Sequence, residues 1–195
     1  DAVIRDPDHS LVGSEMCIRD RGLPGIVPVV AYYAEDPIKA RKNALTHMVL
    51  THPGPKMETA ASLIIDILLK VFEGKPLKDV ILKKLEVQDN PYMGHPFKKL
   101  LNDPDQLVIG QRFSTACYVE DAVPAVIYLA LKYHHRPEKA LIVNTNLGGD
   151  NAGRGAVLGA ILGAAHGIEK FPDRWLSGLM EALPELEPVN TPVQH

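Results

Sequence analysis

The residues best placed to do chemistry lie in one short run, Gly148-Gly149-Asp150-Asn151, with Arg154 just beyond it. Two consecutive glycines permit a tight backbone turn and let a ligand come close to the main chain. The acid that follows stands where a helix begins, because the surrounding stretch, NTNLGGDNAGRGAVLGAILGAAHG (144–167), continues as a run of small and apolar residues. A helix N-terminus presents unpaired N–H groups and a partial positive charge. Asp150 therefore has two readings. It caps the helix by accepting from the N–H of Ala152 or Gly153, or it faces a ligand seated on the turn. Arg154 opposes the dipole in a first helical turn. It either pairs with Asp150 at i,i+4 or faces an anionic ligand such as a phosphate.

The element that positions these groups is a helix expected from about Asn151 to His166. Gly155, Gly159 and Gly163 recur every four residues and share a face. That face has almost no side chains, so another helix is expected to approach it at backbone distance. Val157, Leu158, Ile161 and Leu162 supply bulk on the other side, which makes this the most buried helix expected in the chain. Each helical glycine costs ~1 kcal/mol relative to alanine, a loss that close packing must offset. The helix is shorter than the ~20 apolar residues of a membrane span.

Upstream, the 3.6-residue period marks further helices. Gly22–Tyr33 (GLPGIVPVVAYY) reads as a proline-interrupted loop entering a short helix. Asp36-Pro37 is a helix start, with an N-cap acid and Pro at the first position. That helix is expected to run to about Thr51, with Ile38, Leu45, Met48 and Val49 on its inner face. Lys56–Glu73 is the clearest amphipathic segment, and Lys75–Glu86 a shorter one. Val87–Gln111, rich in Pro and Gly, is expected to be the loosest stretch, with a short helix at Pro96–Leu101 and with Tyr92 and His95 within reach of a ligand. A helix to Tyr133 follows, with Glu120 and Asp121 in its first turn. Another covers Pro137–Thr145, and a last one Pro172–Leu183. Period-two alternation is absent, so the fold class is all-α: an irregular bundle of roughly seven to nine helices.

NLGGDNAGRGAVLGAILGAAHGIEKFPDRW resembles the C-terminal signature of the ADP-ribosylglycohydrolases, whose relatives include the J1 crystallins. The shared pattern is a Gly-Gly-Asp-x-Asp-Thr turn, a small-residue helix, a Gly, and a Pro shortly before a Trp. Gly148, Gly149, Asp150, Gly159, Gly163, Ala164, Gly167, Pro172 and Trp175 match it. The second acid of the family turn falls on Ala152 and its Thr on Gly153, so of the three metal-holding positions Asp150 alone is retained, with Asn151 able to add an amide oxygen. Thr51-His52 before a Pro-containing turn resembles a second family feature. His52 is either a helix-end residue favourable to the dipole or a neighbour of the site. TACYVEDAVPAVIYLAL (115–131) resembles the family loop that lies along ADP-ribose, which puts Ser114, Thr115 and Tyr118 nearest the nucleotide. Tyr118 can equally be a half-buried packing aromatic.

The resemblance implies hydrolysis of the bond between ADP-ribose and a protein side chain, with two Mg²⁺ or Mn²⁺ ions. Expected partners are ADP-ribose or an ADP-ribosylated protein. The family's Thr-Asp-Asp metal cluster has no counterpart, and no Asp-Asp pair occurs in the chain. Three readings stay open: an N-terminally truncated enzyme, inactive alone; a non-catalytic, crystallin-like relative; and a nucleotide-binding module in which Arg154 supplies the charge.

Composition narrows the rest. A net charge of -3 gives no electrostatic case for nucleic acid or an anionic membrane. Two cysteines, Cys17 and Cys117, build no disulfide framework or zinc site, which sets a reducing, cytoplasmic compartment as the expectation. Residues 1–21 lack any period and resemble translated adapter read-through (SLVGSEMCIRDR), so they are expected to be a leader that packs against nothing. Residues 22–183 form the domain, and 184–195, rich in Pro and acid, a loose tail.

Overall fold

The computed structural model describes residues 21–86 and 91–179, which hold ten α-helices and no strand. The all-α reading holds. The helices beyond the expected number are single turns.

The core is built on two helices. One is α3 (Pro55–Phe72), where Met57, Ala60, Ala61, Ile64 and Leu68 follow the expected stripe and Leu63, Ile65 and Ile67 are buried as well. The other is α7 (Val119–Lys132), buried at eleven of its fourteen residues. Pro124 is tolerated inside α7, close to its start. Around this pair pack α1 (Gly22–Tyr32), α2 (Pro37–Val49), α4 (Leu77–Glu86), α8 (Pro137–Asn146) and α9 (Asn151–His166).

Several expectations need correction. The segment read as a loop entering a short helix is helical throughout as α1. Pro24 lies in the first turn, where no N–H is needed, and Pro28 faces solvent, where the lost bond costs least. In α2 the Asp36 cap is as expected, with Oδ1 accepting from the Lys39 amide at 3.0 Å. Its inner stripe, however, is Ala40, Ala44 and Met48, while Ile38 is 81% exposed. Small residues four apart bring α2 close to α1, and the larger Ile38 falls outside that seam.

Of the segment expected to be loosest, residues 87–90 lie outside the described part, and the remainder is pinned. It carries a 3-10 turn (Pro91–Met93), α5 (Phe97–Leu100) and α6 (Asp105–Val108). The Asp105 carboxylate accepts from Tyr128 at 2.7 Å and Tyr133 at 2.6 Å, with Lys132 3.0 Å away. Phe97 and Phe113 are both 1% exposed. The last helix is also shorter than expected. α10 covers Asp173–Leu176, Leu179 is half exposed, and residues from Met180 onward lie outside the described part. So does the leader up to residue 20.

The glycine-rich α9 is not the most buried helix. Five of its sixteen residues are buried, fewer than in α3 or α7, and Ala152 and Ala156 face solvent. Its glycine face packs against α8 and Phe171, and it meets their side chains. A Cβ at Gly159 would find its nearest neighbour, Leu141, at 3.8 Å, and one at Gly163 would find Phe171 at 3.9 Å. Both are ordinary van der Waals distances. A Cβ at Gly155 would lie 2.8 Å from Asn144 Nδ2. The three glycines thus differ in kind, and Gly155 is the constrained one. Gly159→Ala should raise stability by up to ~1 kcal/mol, because helix propensity improves and the unfolded chain loses freedom. Gly155→Ala should lower it. Urea unfolding of both variants checks this, and equal signs would show that the packing is misassigned.

Candidate functional site

Four helix N-termini meet at one corner of the molecule, and the contacts between them define it. The start of α1 lies against His52, since a Cβ on Gly22 would be 2.9 Å from the His52 ring. His52 closes α2, its amide donating to Met48 O at 2.8 Å, and stands just before α3. The start of α3 is joined to that of α7 by an ion pair between Lys56 and Glu120. The loop leading into α7 touches the turn leading into α9. Thr115 O accepts from the Asp150 amide at 2.8 Å. Finally Arg21, next to α1, brings its Nε to 3.9 Å from Asp150 Oδ2. Each helix start carries partial positive charge, so this corner gathers the positive ends of several helix dipoles.

The Gly-Gly turn is built as the sequence requires. Gly148 and Gly149 have φ of 68° and 63°, left-handed values that favour glycine. Gly149 is fixed further, because a Cβ there would overlap the backbone and side chain of Thr115. Asp150 sits at the N-cap position of α9 but makes no capping bond. The plain capping reading is therefore corrected. Its Oδ2 is shielded from solvent and has no hydrogen-bond partner. A carboxylate oxygen in that state is costly unless something else completes it.

Arg154 lies deeper than a surface cation at a helix start would. It is 1% exposed, held among oxygens of the preceding helix and of the turn. Nε donates to Asn144 Oδ1 at 2.7 Å, and one terminal nitrogen donates to Gly148 O at 3.0 Å and Asn144 O at 3.3 Å. Asn151 turns its amide back to Thr145 O at 3.2 Å.

The remaining candidates divide. Thr115 lies on the turn itself. Ser114 is exposed and accepts from the Ala116 amide at 3.1 Å, which shapes the loop. Tyr118 is half-buried at the N-cap of α7. Tyr92, expected within reach of a ligand, is 3% exposed and donates to Lys56 O at 2.9 Å. Burial pushes its hydroxyl up to about 12. His95 stands edge-on to Phe113, with ring centroids 4.9 Å apart. Sequence reasoning missed Arg21, Lys56 and Asn144 as parts of this corner. Arg21 belongs to the stretch read as leader, and Asn144 lies ten residues from the side chain it holds, beyond any local period.

His52 is buried, with Nδ1 2.9 Å from Thr51 Oγ1. Burial, and then the charge of Arg21, hold its pKa below the ordinary histidine value. A helix-end cation is therefore not its role. The native state binds a proton less readily than the unfolded chain, so stability is present above the unfolded value of ~6.5 and is lost as pH falls below it. His95 is lowered in the same direction, chiefly by burial. The melting temperature should fall between pH 7.5 and pH 5.5, a window above the ordinary carboxylate range, and His52→Gln should flatten the fall. An unchanged slope would remove His52 from the account.

Among the described residues, no helix is long and apolar enough to cross a membrane. No curated protein matches the chain. A family model described as ADP-ribosylglycohydrolase matches residues 11–191, beginning within the expected leader and running past the last described helix. With the Gly-Gly-Asp turn at the meeting of its helix starts and that match over nearly its whole length, the chain belongs to the ADP-ribosylglycohydrolase family.

Proposed function

We propose that this chain forms the anion-holding part of an ADP-ribosyl hydrolase site and binds the pyrophosphate of ADP-ribose at the Gly148–Asp150 turn. The observation that carries this is the meeting of the α1, α3, α7 and α9 N-termini around that turn. In the complete reaction, water would add its oxygen to the anomeric carbon of the ribose. The N- or O-glycosidic bond to the protein side chain would break, and the side chain would leave with a proton.

Family membership implies two magnesium or manganese ions. Such hard cations take about six oxygen ligands, with carboxylates supplying the charge. Asp150 fits, through its shielded Oδ2, which makes no hydrogen bond and has only the Arg21 guanidinium 3.9 Å away. The rest of the donor set does not. Ala152 has no donor atom, and Gly153 offers backbone alone. Among the described residues, no group of three His, Cys, Asp or Glu side chains is placed to hold a metal. We therefore propose binding for this chain; hydrolysis would require further carboxylates beside Asp150. Ala152 also favours a second reading, a non-catalytic relative that binds the nucleotide without cleaving it.

Without metal, Asp150 repels the pyrophosphate. Calorimetry of the full chain should show metal-free ADP-ribose binding at a Kd of about a millimolar or tighter. Asp150→Asn should strengthen it ~2–5-fold, as expected for removing one partly exposed like charge. Mg²⁺ alone should bind weakly, and an assay of ADP-ribosyl protein should show no turnover. Absence of metal-free ADP-ribose binding would sink the anion-site reading. Turnover that Asp150→Ala abolishes would show that the chain catalyses despite Ala152.

A further inference from the structure

We infer that Arg154 is the positioning residue of this site, acting with Asn144 to lock the Gly148-Gly149 turn and so to fix the peptide that carries Asp150. Two adjacent left-handed glycines are the most freely rotating peptide units a chain can hold. A carboxylate mounted on them wanders unless both sides of the turn are held. One side is held by Thr115 O, which accepts the Asp150 amide. The other is held from beneath by the Arg154 fork, which reaches Gly148 O at 3.0 Å while its Nε binds Asn144 Oδ1 at 2.7 Å.

Asn144 is held in turn. Its Nδ2 donates to Asn151 O at 2.9 Å, inside the first turn of α9. The pair thus ties the end of α8, the turn and the start of α9 into one unit. Gly155 belongs to it by omission, since a Cβ there would sit 2.8 Å from Asn144 Nδ2 and displace the amide. Arginine suits this task through its planar set of donors, which spans several acceptors at once. A lysine would carry the same charge as a single point. Closing the end of α8 explains the bond to Asn144 O alone. It does not explain the grip on Gly148 O, which lies beyond the helix, or the room left at Gly155.

The test separates geometry from charge. In the full chain, amide hydrogen exchange should show at least tenfold less protection of the Asp150 N–H in Arg154→Lys, relative to the α7 amides. Gly155→Ala, which keeps Arg154, should produce the same local loss and serves if the lysine variant does not fold. Val157→Ala, a core deletion on the same helix, matches the general destabilisation and should leave the Asp150 amide in step with the rest of the chain. Loss spread evenly over all amides in Arg154→Lys and Gly155→Ala would overturn the inference. The ligand arm rests on the proposed anion site. Metal-free ADP-ribose affinity should fall at least tenfold in Arg154→Lys or Gly155→Ala and stay near wild type in Val157→Ala. Faster local exchange with unchanged affinity would overturn the positioning role. If the wild-type chain does not bind ADP-ribose while the local exchange effect stands, the anion-site reading fails and the lock on Asp150 is upheld.

Discussion

One peptide hydrogen bond, from the Asp150 amide to Thr115 O at 2.8 Å, joins the two halves of the corner where four helix starts meet. Its net contribution is modest, ~0.5–1.5 kcal/mol, but an amide left unpaired beneath the loop would cost more. The bond forms because Gly149 lets the α9 turn lie flat on Thr115. That contact sets where α9 begins relative to α7, and Lys56–Glu120 carries the alignment on to α3. The apolar core beneath, centred on α3 and α7, supplies the stability that lets such a corner hold its shape.

Much of the fold was legible because helices announce themselves by period. The stripe of α3, the acids opening α7 and the Asp36-Pro37 start of α2 each rest on local rules. What could not be read was set by tertiary partners. Which side of α2 turns inward depends on how closely α1 approaches, and this selected Ala40 and Ala44 over the more hydrophobic Ile38. The glycines of α9 looked equivalent, yet their neighbours differ: an amide at one position, and aliphatic or aromatic side chains at the others. Asp105 became an anchor through two tyrosines more than twenty residues away.

The site was legible in part, through the family pattern of the Gly-Gly-Asp turn. The charge of Arg154 suggested a ligand; what the sequence did not reveal is that the side chain is buried and donates to Gly148 O and Asn144 O. The neutral, buried His52 likewise contributes shape to this corner, lying on Gly22. In the proposed anion site, attraction would come from peptide dipoles at helix starts together with Arg21 and Lys56. Such dipoles are fixed by the fold and do not depend on retaining a particular acidic side chain.

The crowding at Gly149 has a consequence for how such a domain changes over generations. Any other residue there meets Thr115 and a left-handed backbone together, so most replacements at that codon cost the fold itself. Ala152 is exposed, and the Asp150 side chain makes no capping bond to α9. The backbone turn is thus the part of this corner most resistant to substitution, and the exposed side chain at position 152 the part most open to it.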